Sequence, residues 1–288
     1  MEKNQDVFNS WENTCKSWDE LFAPPGRPSE NDIKNFKKIV YQRVGLNQKD
    51  RLEVLLLGAT PEIRDMFAED KRFRVTLIDK TINMVLAMTN LMKAKSNNEI
   101  WVISYWQDTP LKPEYFDIVI SDLVICNIFP DEHDLFLSKI KEMLKPGGHW
   151  LNRVYCIDEN TKIRSLDQLI DEYVHGEVIT KEDVNNFRST AGLKYWDPKS
   201  KILEWGKLLD EMTNYRINGE FSHINDNAVE LLTRSYNLVE KFNQKYWIDT
   251  KDGTESLFKR YFSIENVIRD TTVVTLKEKG YYIYDLKK

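Results

Sequence analysis

The run Val54-Leu-Leu-Leu-Gly-Ala-Thr-Pro-Glu62 constrains the fold of this chain more than any other stretch. Four apolar residues in succession suit a strand covered by helices on both faces, since a buried parallel strand has no solvent side to alternate with. Gly58 closes the run and allows a sharp turn and a close backbone approach to a ligand. Pro61 and Glu62 open a helix, so the stretch reads as the first strand, the ligand loop and the start of the first crossover of an α/β sheet.

Counting onward from Gly58, the same grammar repeats. A helix over 62–70 leads to a second strand, Arg74-Val-Thr-Leu-Ile-Asp79, which ends in an acid about twenty residues beyond the glycine. A carboxylate there can accept both hydroxyls of a ribose, because it is an acceptor only and a diol presents two donors. The next helix, 81–95, turns Met84, Val85, Met88 and Leu91 inward, with Met84 in its first turn, where an adenine would lie. The third strand, Ile100–Ser104, is followed by Trp106, Gln107 and Asp108, a flat apolar wall beside an acid that can accept from an exocyclic amine. Residues 115–122 form an apolar fourth strand ending at Asp122, and a helix from Pro130 stops at Lys145-Pro-Gly-Gly148 before a fifth strand, 149–155. The alternation predicts an α/β fold with a doubly wound, mostly parallel Rossmann-like sheet and a ligand crevice beyond the carboxyl ends of its strands.

Before the sheet, residues 6–22 place aromatics, Trp11 and Trp18 among them, on one helical face. The turn Ala23–Pro28 ends that helix, and Ser29 with Asp32 forms a capping box ahead of a second helix carrying Ile33, Phe36, Ile39 and Val40. These helices either pack on the sheet or cover the ligand, in which case Arg27 offers a fork to a carboxylate. After strand five, helices are expected over 165–173, 181–189, 201–215 and 226–243, with many aromatics between them. The last forty residues return to the sheet as strands, although a helix across 264–279 fits equally well. The expected organisation is therefore N-terminal cover helices over 1–50, a core over 51–157, a helical lid inserted over 158–250, and a return to the core sheet over 251–288.

Composition narrows the partners. With 41 basic and 46 acidic residues the formal charge is −5, which argues against binding nucleic acid through its phosphates. Three cysteines are too few and too scattered for a disulfide framework or a zinc site, and four histidines show no ligand spacing, so no metal is expected. No stretch is long and apolar enough for a bilayer and no leader is visible, which points to a soluble cytoplasmic protein. The oligomeric state is not legible.

Residues 52–155 resemble the core of the class I S-adenosylmethionine-dependent methyltransferases. The features that carry the resemblance are Leu57-Gly58-Ala59-Thr60 after strand one, Asp79, Asp108, Phe116-Asp-Ile-Val-Ile-Ser-Asp122 and Leu144-Lys-Pro-Gly-Gly148, in that order. The resemblance implies S-adenosylmethionine as cofactor, held by Gly58, Ala59, Thr60 and Pro61 at the loop, Asp79 and Lys80 at the ribose, Met84, Trp106, Gln107 and Asp108 beside the adenine, and Asp122, with Trp18 as cover. The chain departs from the family at Leu56, where an acid is usual, and in having a single glycine in the loop. Arg27 is then the expected anchor for the carboxylate of the cofactor. A small-molecule acceptor would meet Asn127, Arg153 and Tyr155 under the lid. Two other readings keep the fold: an enzyme that attacks the aminocarboxypropyl arm and releases methylthioadenosine, and a non-catalytic cofactor-binding module.

Overall fold

The computed structural model describes residue 18 and residues 22–46, 51–94, 99–158, 163–174, 178–217, 229–230, 245–269 and 279–288. Its centre is a seven-stranded sheet in the order β3-β2-β1-β4-β5-β10-β9. Strands β1 (Leu52–Leu57), β2 (Phe73–Asp79), β3 (Glu99–Ile103), β4 (Phe116–Asp122) and β5 (Leu144–Ile157) pair in parallel. β10 (Lys279–Lys287) runs antiparallel to both β5 and β9 (Ser263–Arg269). The last residues thus return to the sheet as strands, and the alternative helix over 264–279 is excluded for the part described; the run Thr272–Leu276 lies outside the described residues.

Alternation along the central strands builds two cores. Val54, Leu56, Ile118 and Ile120 meet α1 (Glu30–Leu46), α2 (Pro61–Asp65) and α3 (Ile82–Thr89) through Phe36, Ile63 and Val85. Leu55, Leu57, Val119 and Trp150 meet α4 (His133–Met143) and α8 (Lys251–Lys259) through Phe136, Ile140 and Phe258. Both faces are covered, which is why β1 and β4 read as continuous apolar runs.

Several elements differ from expectation. α2 and α3, with five and eight residues, are shorter than the expected 62–70 and 81–95, and after each the chain turns back toward the sheet. The Lys145–Gly148 turn belongs to β5: Phe116 pairs with Leu144 and Ile118 with His149, so four residues bulge out opposite Asp117. Gly147 takes a φ of +73°, and Lys145 pairs with Asp117 at 2.6 Å. In the insertion, α5 (Leu166–Tyr173) and α6 (Lys181–Ala191) stand as predicted, both opened by capping boxes. The expected helix over 201–215 gives its start to a strand: β7 (Ile202–Glu204) precedes α7 (Trp205–Ile217) and joins β6 (Trp196–Asp197) and β8 (Lys245–Trp247) in a small antiparallel sheet. The helices predicted over 6–22 and 226–243 fall largely outside the described residues.

Candidate functional site

A cavity of about 730 Å³ opens at the carboxyl ends of β1 to β4, where a parallel sheet places ligand loops. Gly58 turns the chain out of β1 with a φ of +84°, a left-handed conformation that disfavours any side chain. A Cβ built there meets nothing within 4 Å, so the position faces open space. Ala59 and Thr60 continue the wall, and Thr60 leads into α2.

Asp79 ends β2 at 8% exposure. One of its oxygens accepts from the Thr81 backbone at 3.0 Å, and Thr81 in turn caps α3 by accepting from the Met84 N–H. Burial pushes the Asp79 carboxyl up to about 6, against the pull of the Thr81 hydrogen bond and the Lys80 charge. Met84, Lys80, Trp106 and Gln107 also line the cavity. The Trp106 indole donates to the Ile78 carbonyl, which fixes its ring, and Gln107 donates to Glu132.

At the end of β4, Asp122 and Leu123 form the next part of the wall. Leu123 has a φ of +54°, a strained position for a γ-branched side chain of the kind that gathers at functional sites. Its carbonyl accepts from the Cys126 thiol and the Asn127 amide. Burial pushes the Cys126 thiol up to about 12, so it stays protonated. The far wall comes from the end of β5, the insertion and the last strand: Tyr155, Trp205, Tyr246 and Tyr281 line it, with Tyr155 stacked on Tyr281 at 5.0 Å. Burial raises the phenols of Tyr246 and Tyr281 well above their usual range.

Of the residues expected at the site, Trp18, Gly58, Ala59, Thr60, Asp79, Lys80, Met84, Trp106, Gln107, Asp122, Asn127 and Tyr155 border this one cavity. Four do not. Pro61 is buried in the first turn of α2, directed to packing. Asp108 is exposed, and the carboxylate that borders the cavity near Gln107 is Glu132. Arg27, expected as an anchor, is paired with Glu62 at the start of α2 and lies over the Trp18 ring. Arg153, expected at the acceptor, is fully buried and engaged by protein groups. Thr81 and Tyr281, which also border the cavity, are not expected there from sequence; Leu123, from the end of strand four, and Trp205 and Tyr246, from the aromatic-rich lid, join them. Of the first two, only Thr81 carried a local signal, as a threonine in helix-capping position. Among the described residues, no three His, Cys, Asp or Glu side chains gather as a metal site, and no helix is long and apolar enough to cross a membrane.

Comparison with known proteins adds a sequence-level match. Residues 59–151 match the methyltransferase domain family. No curated protein matches the chain. Among solved structures, a candidate zinc-dependent alcohol dehydrogenase from Rhodobacter sphaeroides superposes with a TM-score of 0.56 at 14% identity, covering 97% of each chain. The 1,6-didemethyltoxoflavin-N1-methyltransferase of Burkholderia thailandensis, solved with 1,6-didemethyltoxoflavin and S-adenosylhomocysteine, gives 0.54 at 12% identity, over 100% of this chain and 89% of that one. A methyltransferase-like structure from Bacillus halodurans gives 0.52 at 12% identity, over 90% and 99%. At these identities the likeness establishes the Rossmann-like fold alone, whatever chemistry each protein performs.

Proposed function

The core of this chain is a class I S-adenosylmethionine-dependent methyltransferase domain with S-adenosylmethionine as its cofactor, and from that premise we propose that the protein methylates a small-molecule acceptor enclosed between the sheet and the helical insertion. The observation that carries this reading is the single cavity that joins the Gly58 turn and Asp79 to the aromatic wall of Tyr155, Trp205, Tyr246 and Tyr281. The first half suits an adenosine and the second a partly apolar acceptor.

The donor set fits the cofactor. Asp79 borders the cavity and, as a carboxylate with two acceptor oxygens, keeps acceptor capacity for the ribose beyond its backbone hydrogen bonds from Thr81 and Lys80. Met84 and Trp106 offer apolar faces, and Gln107 with Glu132 offers polar partners for a base edge. When bound, the cofactor supplies a methyl carbon already activated by its sulfonium, open to in-line displacement. The residues of this chain then have to align the acceptor and exclude water, which needs no triad or metal. Tyr246 and Tyr281 remain protonated and serve as donors, while the Cys126 thiol stays neutral and inert as a base.

Calorimetric titration with S-adenosylmethionine and S-adenosylhomocysteine tests the cofactor half, and mass spectrometry of products formed with a panel of small phenols, amines and heterocycles tests the rest. Binding with S-adenosylhomocysteine as the product nucleoside supports methyl transfer. Methylthioadenosine as the product would overturn it in favour of attack on the aminocarboxypropyl arm. Absence of binding would overturn the cofactor assignment itself.

A further inference from the structure

We propose that Arg153 is a positioning residue that latches segment 23–29 to the ends of β4 and β5 and so builds the wall of the cavity that faces the insertion. Arg153 lies on β5 with no exposed surface, and its guanidinium is shared among elements far apart in sequence. Its Nε meets Asp32 of α1 at 2.9 Å, one terminal nitrogen meets Asp122 at 2.8 Å, and the other donates to the Pro25 carbonyl at 2.8 Å and the Arg27 carbonyl at 3.4 Å. The Tyr281 ring covers it at 4.8 Å. A planar fork of five donors suits this task, and a lysine could not span the same partners.

The segment so held is part of the cavity. Gly26 lines it, and a Cβ on Gly26 would come within 3.3 Å of both the Ala23 carbonyl and the Asn185 side chain of α6. The segment is therefore wedged between sheet and insertion. Its other end is tied by Arg27 to Glu62, in the helix that follows the Gly58 turn. Asp122 connects the two walls, since it borders the cavity and also pairs with Arg153. Removing the guanidinium would leave two buried carboxylates, Asp32 and Asp122, without their common cation, and the backbone of 23–29 without its grip on the sheet. The consequence for binding rests on the cofactor reading given above, whereas the latch itself does not.

Three variants test this. Asp32→Asn lies off the cavity and removes only the charge beside the Arg153 Nε: an amide oxygen in place of Oδ2, which accepts from the Ser29 N–H and also meets Arg153, keeps helix α1 capped and leaves the Pro25 and Arg27 contacts in place. Arg153→Met removes the fork, and Arg153→Lys gives the conservative comparison. In Arg153→Met, amide exchange across 22–29 should rise about tenfold or more while the amides of β5 keep their protection, and in Asp32→Asn it should rise by a smaller factor, because the Pro25 and Arg27 contacts remain. Affinity for S-adenosylhomocysteine should fall by about tenfold in parallel, with Arg153→Lys between the extremes. Unchanged exchange in 22–29 would overturn the latch, and faster exchange with unaltered affinity would overturn its part in building the cavity. If Arg153→Met does not fold, Arg153→Lys decides, since it keeps the charge and loses the fork that reaches Pro25 and Arg27. If the natural protein binds no S-adenosylhomocysteine, the cofactor reading fails and the exchange measurement still decides the latch.

Discussion

Asp79 is where folding and binding pull in opposite directions. Burial lifts its carboxyl to about 6 in the folded chain, above the ordinary range of an unfolded aspartate. A raised folded pKa means that the stability linked to this group is fully present below the unfolded value and is lost as pH rises through about 6. Asp79→Asn should therefore stabilise the free protein at pH 8 by on the order of 1–2 kcal/mol, seen as a higher Tm, with little gain at pH 4. The same change should weaken S-adenosylhomocysteine binding by roughly tenfold or more, because the amide replaces one acceptor with a donor facing the ribose. In the unaltered protein, affinity measured by calorimetry should fall as pH drops from 7.5 through about 6, where the carboxylate becomes protonated. Affinity flat across that interval would remove the ribose assignment.

At the scale of elements, the bulge in β5 is the least forgiving piece of backbone. A Cβ on Gly148 would stand 2.9 Å from the Lys145 carbonyl and 3.2 Å from the Asp117 carbonyl, both main-chain atoms that cannot step aside. Gly148→Ala should cost about 1–3 kcal/mol, read as a lower urea midpoint at unchanged m-value. Gly192→Ala acts differently: its Cβ would come 2.6 Å from the Trp205 ring, a side chain that borders the cavity, so acceptor-side binding should suffer more than stability. Kinetic measurement of KM for the acceptor against kcat separates the two effects. The strands of the sheet and the Ser29–Asp32 cap were legible because each signal is local, a run of apolar residues or a serine three places from an acid. Arg153 was misassigned to the acceptor because its partners at 25, 32 and 122 become neighbours only in the fold. The small sheet of β6, β7 and β8 escaped notice because strands two or three residues long carry no periodicity.

Across the whole molecule, the helix that precedes the sheet is tied to its strands by one buried carboxylate. Asp285 in β10 accepts from Arg43 of α1 at 2.8 Å and meets His149 Nδ1 of β5 at 2.6 Å, so it joins the helix before the sheet to two of its strands. Burial alone would push the Asp285 carboxyl up, yet the His149 hydrogen bond and the Arg43 guanidinium together hold it below the usual range. A depressed folded pKa contributes stability that is fully present above the unfolded value, near pH 4, and is lost as pH falls through the folded value. The chain should thus lose stability on acidification below about pH 5, while Asp79, with its shift of opposite sign, opposes that loss between about pH 6 and 4. Asp285→Asn should be less stable than the unaltered protein by about 2 kcal/mol at pH 7, with the difference shrinking as both are acidified. Urea denaturation at pH 7, 5 and 3.5 checks this. A difference that stays constant with pH would mean that Asp285 acts through shape and packing, with its charge contributing nothing to the union of α1 with the sheet.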